Sequence, residues 1–87
     1  MKYSIYHPVK TVKNRLGKLE ICYELIVTLI ADSLEDAWRK TQRGYNRGYD
    51  KLNKPSTDVG HVIKGPNSFN VVMQKGFATI DKIKIIE

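Results

Sequence analysis

The sequence predicts a single α+β domain, ββα followed by a β-hairpin and a further strand, with one helix packed on an antiparallel sheet. Segments rich in β-branched and aromatic residues come first, a helix start follows near Asp32, and strand-like alternation returns after residue 58. The 87 residues are 41% hydrophobic and 28% charged, which is typical of a globular chain. A chain of this length supports one modest core, so we expect one domain over residues 1–87.

The first two strands are predicted to form a hairpin. Residues 2–12 are rich in Tyr, Ile and Val, Asn14–Gly17 is a turn signal, and a second β-rich segment covers residues 18–31. Along this second segment one face is apolar throughout, while the other face is polar only in its first half. The pattern predicts a central strand that protrudes at its start and is covered on both faces near its end.

A helix is predicted to begin at the next boundary. Asp32 or Ser33 can accept hydrogen bonds from the amides of a first helical turn, and the acidic residues Glu35 and Asp36 suit its positive end. Apolar and small residues then recur at helical spacing and are expected to lie on the sheet: Leu34, Ala37, Trp38 and Thr41.

We expect this helix to be long and two-sided. On a helical wheel, its apolar stripe continues through Trp38, Tyr45, Tyr49 and Leu52. The opposite side gathers five basic residues, which form the predicted basic face: Lys40, Arg43, Arg47, Lys51 and Lys54. Gly44 and Gly48 each cost about 1 kcal/mol relative to Ala inside a helix, so the alternative is a helix that ends near Arg43 and restarts or continues as a loop.

The remaining third of the chain has the pattern of strands. Residues 58–63 form a predicted short strand, residues 65–68 a turn, and residues 69–74 an alternating strand. Gly76 marks a turn or bulge. In the last segment Ile83 and Ile85 oppose Lys82 and Lys84, a pattern typical of a protected edge strand.

Positive charge is concentrated in two segments. The net charge is +6, and residues 1–18 hold five bases and no acids, while residues 39–54 hold six bases against one acid. The first group forms a basic arm at the hairpin tip, with Lys10, Lys13, Arg15 and Lys18 beside Lys2. Either group could contact phosphate, with Tyr45 or Tyr49 stacking on bases. The alternatives are a solvated face without a partner and a face that meets an acidic protein.

No catalytic, metal or cofactor site is predicted. His7, His61 and Cys22 have no spacing that brings them together, and Asp58 and His61 would point to opposite faces of a regular strand. Neither a dinucleotide fingerprint nor a Walker loop occurs.

The expected compartment is reducing, because a single cysteine cannot form an internal disulfide. The first residues lack the apolar core of a signal peptide, and the longest mostly apolar run, residues 25–31, is too short to span a bilayer. We therefore expect a cytosolic protein without a membrane partner.

Two stretches, ADSLEDAWRKTQ and PSTDVGHVI with the following SFNVV and Gly-Phe, carry a resemblance. They resemble a loose group of small phage-encoded accessory proteins, in which a D-S-L-E helix start precedes an S-T-x-V-G-D-V-like strand and a hairpin ending in Gly-Phe or Gly-Trp. Seven positions match: Ser56, Thr57, Val59, Gly60, Val62, Gly76 and Phe77. His61 replaces the acidic residue of the pattern, and Asp58 replaces its usual serine. The resemblance implies a phage or mobile-element protein acting in a bacterial host cytoplasm, and it implies no chemistry.

The resulting expectation is a non-enzymatic accessory protein that binds a host macromolecule. The leading hypothesis is a host protein that is inhibited or redirected, bound through an exposed strand edge, an apolar patch or the basic face. The alternative is nucleic-acid binding by that face and the basic arm. Self-association as a homodimer is a further option, because a small core leaves apolar surface to bury.

Overall fold

A computed structural model describes residues 1–86, and it confirms the α+β prediction. The elements are β1 (Lys2–Lys13), β2 (Leu19–Ile30), α1 (Leu34–Lys40), α2 (Arg47–Asp50), β3 (Val62–Lys64), β4 (Phe69–Val72), β5 (Phe77–Ile80) and β6 (Lys84–Ile85). The strands form one sheet in the order β5-β4-β3-β1-β2-β6, antiparallel except for the β2–β6 pair. Helix α1 packs on one face of this sheet.

The long β1–β2 hairpin dominates the sheet, but its central strand is β1 and not β2. Strand β1 pairs with both β2 and β3, whereas within residues 1–86 the outer edge of β2 pairs only with β6, at Cys22 and Tyr23. The expected cover near the end of β2 is found on one face, where Val27 and Leu29 pack on the core, and is wrong for the other face, where Leu25 and Ile30 are 48% and 63% exposed. The reason is topological: the chain leaves β2 for the helix, strands β3–β5 add on the side of β1, and the short β6 alone adds beside β2 within residues 1–86.

Apolar side chains pack on both faces of the sheet. On the face of α1, Tyr3, Ile5 and Ile63 form a cluster with Ala37, against which Trp38 packs. The opposite face carries a second cluster, made of Tyr6, Tyr23 and Val62 with partly buried Phe69, Val71, Ile80 and Ile83 around it.

The sheet is strongly curled. Strands β5 and β6 lie at opposite edges, yet only residues 81–83 join them. An extended chain covers at most about 3.5 Å per residue, so the connection from Ile80 to Lys84 spans at most about 14 Å. Neighbouring strands lie about 4.8 Å apart, so a flat sheet of six strands would be about 24 Å wide. The sheet must therefore bend until its two ends approach, and Ile80 and Ile83 accordingly pack on the cluster that contains Tyr23.

The expected long helix is broken into two. Helix α1 begins as predicted, with the Ser33 hydroxyl accepting from the Asp36 amide at 3.1 Å, but it ends at Lys40. Gly44 then adopts a positive φ of 87° and donates its amide to Asp50 Oδ1 at 2.9 Å. The side chain of Asn46 caps the start of α2. The glycine turn thus replaces the rod, as the alternative interpretation allowed.

The break also separates the two tyrosines that the helical wheel placed together. Tyr49 is buried, as expected, whereas Tyr45 is 58% exposed. The prediction that both rings face the core is therefore correct for Tyr49 and wrong for Tyr45.

Later boundaries shift for local reasons. The strand expected from residue 58 begins only at Val62, because Asp58 O accepts from the His61 amide at 3.0 Å in a turn that includes Gly60 at φ 90°. Strand β4 ends at Val72, where the β4–β5 hairpin closes. Strand β6 lies at the sheet edge, as predicted for the last segment.

Candidate functional site

Strand β2 carries an exposed apolar row. Leu19, Ile21 and Leu25 are 70%, 50% and 48% exposed. They alternate with polar or buried residues, so all three lie on the face of Tyr23, opposite α1. Leu16, at the hairpin turn, extends the apolar surface beyond the row. Exposed apolar side chains are common singly, but a row along one strand is typical of an interaction site.

The outer edge of the same strand is open over six residues. Within residues 1–86, no strand pairs with residues 25–30 on the side away from β1. The segment LIVTLI holds no charge, although natural edge strands are usually protected by charges, proline or a covering element. Lys40 gives partial cover at the far end, where its Nζ donates to Ile30 O at 3.2 Å.

The tip of the hairpin places positive charge beside the apolar row. All four side chains of the predicted basic arm are exposed: Lys10, Lys13, Arg15 and Lys18. Lys13 pairs directly with Leu19 across the strands, so it shares a face with the row. Asn14 fixes the tip, because its Oδ1 accepts from the amides of Leu16 at 2.8 Å and Lys18 at 3.0 Å.

The predicted basic face does not form one helical surface. Lys40 pairs with Asp36 at 3.3 Å, and Lys54 approaches Glu24 at 3.9 Å, so two of its five bases have acidic neighbours. Arg43, Arg47 and Lys51 are exposed on the segment that contains the Gly44 turn and α2. Exposed Tyr45 lies within this same segment, between Arg43 and Arg47 in the chain.

Buried His7 and half-buried His61 form a pair that the amino-acid sequence did not reveal. The rings of His7 and His61 lie with centroids 4.1 Å apart and planes tilted by 37°. His7 Nε2 is 3.1 Å from Thr57 Oγ1, and His61 Nδ1 accepts from the Asp58 amide at 3.0 Å. The β1–β3 register brings the two rings together: Tyr6 pairs with Val62, so the following residue His7 lies beside the preceding residue His61. That register cannot be read from a single sequence.

Both imidazoles are biased toward the neutral form. Burial lowers the pKa of His7 to about 4, and the nearby His61 and Lys54 act in the same direction. Burial also lowers the pKa of His61, while Asp58 acts in the opposite direction. Because Nδ1 of His61 accepts a hydrogen bond, the proton of its neutral ring is assigned to Nε2.

The contact between Thr57 and His7 resembles a nucleophile beside a base, but Thr57 is only 1% exposed. The contact holds the segment around Thr57 against β1. Cys22 is likewise buried. Within residues 1–86, no three His, Cys, Asp or Glu side chains gather in a metal-binding arrangement.

Comparisons of the chain with protein-family models, with curated proteins and with solved structures returned no match. None of the helices in the described part of the chain is long and apolar enough to cross a membrane. The functional interpretation therefore depends on the surfaces described above, and the open β2 edge beside its apolar row is the candidate site.

Proposed function

We propose that the protein is a non-enzymatic binding module that attaches to another protein through strand β2. The observation that supports this proposal is the uncharged edge of residues 25–30, which pairs with no outer strand in the described part of the chain and lies next to exposed Leu19, Ile21 and Leu25. Edge strands of this kind accept a strand from another chain, since main-chain hydrogen bonds supply affinity and alternate side-chain contacts supply specificity.

The backbone geometry indicates which groups are available. The Ala31 amide donates to Met1 O at 3.0 Å, so Ala31 faces β1. Backbone direction alternates along a strand, so Ile30 and Thr28 turn their amide and carbonyl groups outward. The Ile30 carbonyl already accepts a hydrogen bond from Lys40 Nζ. The amide and carbonyl of Thr28 are therefore the groups at the centre of the open edge.

Charge and resemblance suggest the class of partner. The exposed basic arm beside the row favours a partner segment with acidic residues beside apolar ones. The resemblance to phage accessory proteins suggests a bacterial host protein, inhibited or redirected in the host cytoplasm. A second copy of this chain is the competing occupant of the same edge, and it would give a homodimer.

Affinity capture from nuclease-treated bacterial lysate tests the proposal. The wild-type protein should retain a discrete host protein that persists at high salt, because apolar and main-chain contacts are weakly screened. Leu25→Lys should abolish retention, whereas Leu52→Lys, at a 40% exposed site on another segment, should not. Equal retention by both variants would contradict the β2 site. Light scattering of the purified protein tests the competing homodimer, because it measures the molar mass. If the homodimer forms through this edge, Leu25→Lys should dissociate it.

A second candidate function is nucleic-acid binding. The observation that favours it is exposed Tyr45 in a segment with exposed Arg43, Arg47 and Lys51. Aromatic rings among phosphate-binding cations are typical of sequence-tolerant single-strand binding, in which bases stack and cations track the backbone.

A further inference from the structure

A second surface, separate from β2, lies between helix α1 and the β4–β5 hairpin. It is an open cleft of about 460 Å³, within the size range of small-ligand and side-chain pockets. One wall comes from α1, another from the turn before β3, and the third from the β4–β5 turn. The lining residues are Glu35, Trp38, Asp58, Val59, Val72, Met73, Gln74, Gly76 and Phe77.

The cleft is mainly apolar. Its floor includes buried Val72 and the partly buried rings of Trp38 and Phe77, which also pack on the core. Val59 and Met73 rise at its rim and are 53% and 47% exposed. Because the rings are anchored from behind by the core, their outward surfaces form a preformed platform rather than a mobile patch.

The charge of the cleft is opposite to that of the chain. Its two ionisable lining residues, Glu35 and Asp58, are acids, and no Lys or Arg among residues 1–86 contributes to the lining, although the chain carries a net charge of +6. Asp58 Oδ1 accepts from the Val59 amide at 2.7 Å, which fixes the carboxylate at the rim. Glu35 precedes Trp38 by one helical turn, so the carboxylate and the indole lie on the same side of α1.

From this combination we infer that the cleft binds a partner-protein segment that presents an Arg or Lys side chain between apolar residues. The cation lies against the indole of Trp38 and pairs with the carboxylates of Glu35 and Asp58. The flanking apolar side chains contact Val59 and Met73. The same acidic rim repels phosphate and acidic peptides, so this surface selects the opposite charge from the basic hairpin arm.

The chain contains its own reporter for this site. Trp38 is the single tryptophan, so its fluorescence emission follows occupancy of the cleft. The probe is the capped tripeptide acetyl-Leu-Arg-Leu-amide, titrated at low salt. The controls are the same peptide with norleucine or with glutamate in place of arginine.

The arginine peptide should change the Trp38 emission saturably, and both control peptides should bind at least about fivefold more weakly, as expected for loss of partly exposed ion pairs. Glu35→Gln together with Asp58→Asn should weaken the arginine peptide by about tenfold. The asparagine side chain introduced by Asp58→Asn keeps an oxygen for the Val59 amide, so the turn is retained. Asp81→Asn, at an acid outside the cleft, should leave binding unchanged.

Three results would overturn the inference: no saturable response to the arginine peptide, equal binding of the norleucine or glutamate peptide, or unchanged affinity in the Glu35→Gln, Asp58→Asn variant. None of these results bears on β2, since capture by the β2 edge depends on Leu25 and not on the cleft. The two proposals therefore fail separately.

Discussion

The imidazole rings of His7 and His61 lie 4.1 Å apart, centroid to centroid, and together they join the middle of β1 to the segment that precedes β3. The same segment is tied to the end of α1, because the Thr57 amide donates to Thr41 O at 3.1 Å and Gln42 Nε2 donates to Thr57 O at 2.8 Å. The histidine pair thus closes a connection between the helical region and the sheet.

This arrangement predicts loss of stability in mild acid. His7 has a pKa of about 4 in the folded chain and about 6.5 when unfolded, so below pH 6.5 the unfolded chain takes up a proton that the folded chain does not. The free energy of unfolding should therefore fall as the pH drops from 6.5 towards 4. The charge of Lys54 also lowers the pKa of His7, whereas the charge of Asp58 acts to raise the pKa of His61. Urea unfolding at several pH values measures the slope.

The variant His7→Gln separates the histidine from the carboxylates. Gln can still bond to the Thr57 hydroxyl but does not titrate, so its unfolding free energy should depend less on pH between 6.5 and 4. The pKa of each imidazole can also be read directly from the pH dependence of its NMR signals. An ordinary pKa for His7, or the same slope in wild type and variant, would show that the pair is not held neutral.

Tyr45 and Tyr49, each of which follows an Arg-Gly pair in the chain, should respond differently to removal of their hydroxyls. Tyr49 is buried and its hydroxyl donates to Pro55 O, so Tyr49→Phe should cost about 1–2 kcal/mol of unfolding free energy by leaving that carbonyl unpaired. Tyr45→Phe, at an exposed ring, should change stability by less than about 0.5 kcal/mol. Denaturant titration compares the two, and equal effects would argue against the broken helix.

The turn at Gly44 should require glycine because of its backbone conformation and not because of a lack of space for a side chain. At φ 87° an L side chain is strained, while an added Cβ would meet no atom within 4 Å. Gly44→Ala should therefore destabilise the fold by about 1–2 kcal/mol, and Gly44→Asn should recover part of the loss because Asn tolerates the left-handed region. Thermal unfolding measures both variants. A stabilising Gly44→Ala would instead favour a continuous helix.

Charge reversal tests nucleic-acid binding by the segment around Tyr45. Arg43→Glu with Arg47→Glu should abolish retention of single-stranded DNA or RNA at low salt and flatten its salt dependence, because counterion release scales with the number of phosphate contacts. Lys75→Glu with Lys82→Glu changes the net charge equally at exposed sites elsewhere. A filter-binding assay compares nucleic-acid retention by the two double variants. Equal losses would indicate general charge attraction, and no binding by the wild type would exclude this function.

Features that depend on residues close together in the chain could be predicted from the amino-acid sequence. Alternation and turn chemistry predicted the first hairpin, a cap at Asp32 or Ser33 predicted the start of α1, and the pattern of Ile83 and Ile85 against lysines predicted an edge strand. These are local preferences of backbone and side chain, which a single sequence contains in full. The basic arm was placed at the hairpin tip for the same reason.

The identity of the central strand, the end of the first helix and the contacts between distant side chains could not be predicted in this way, because they depend on the folded chain. A helical wheel assumes a continuous helix, so it could not weigh Gly44 and the competing contact with Asp50 against the apolar stripe. The open edge of β2, the histidine pair and the acidic cleft all depend on which distant segments pair. That choice is made by the summed burial of the whole chain, a quantity that no local pattern contains.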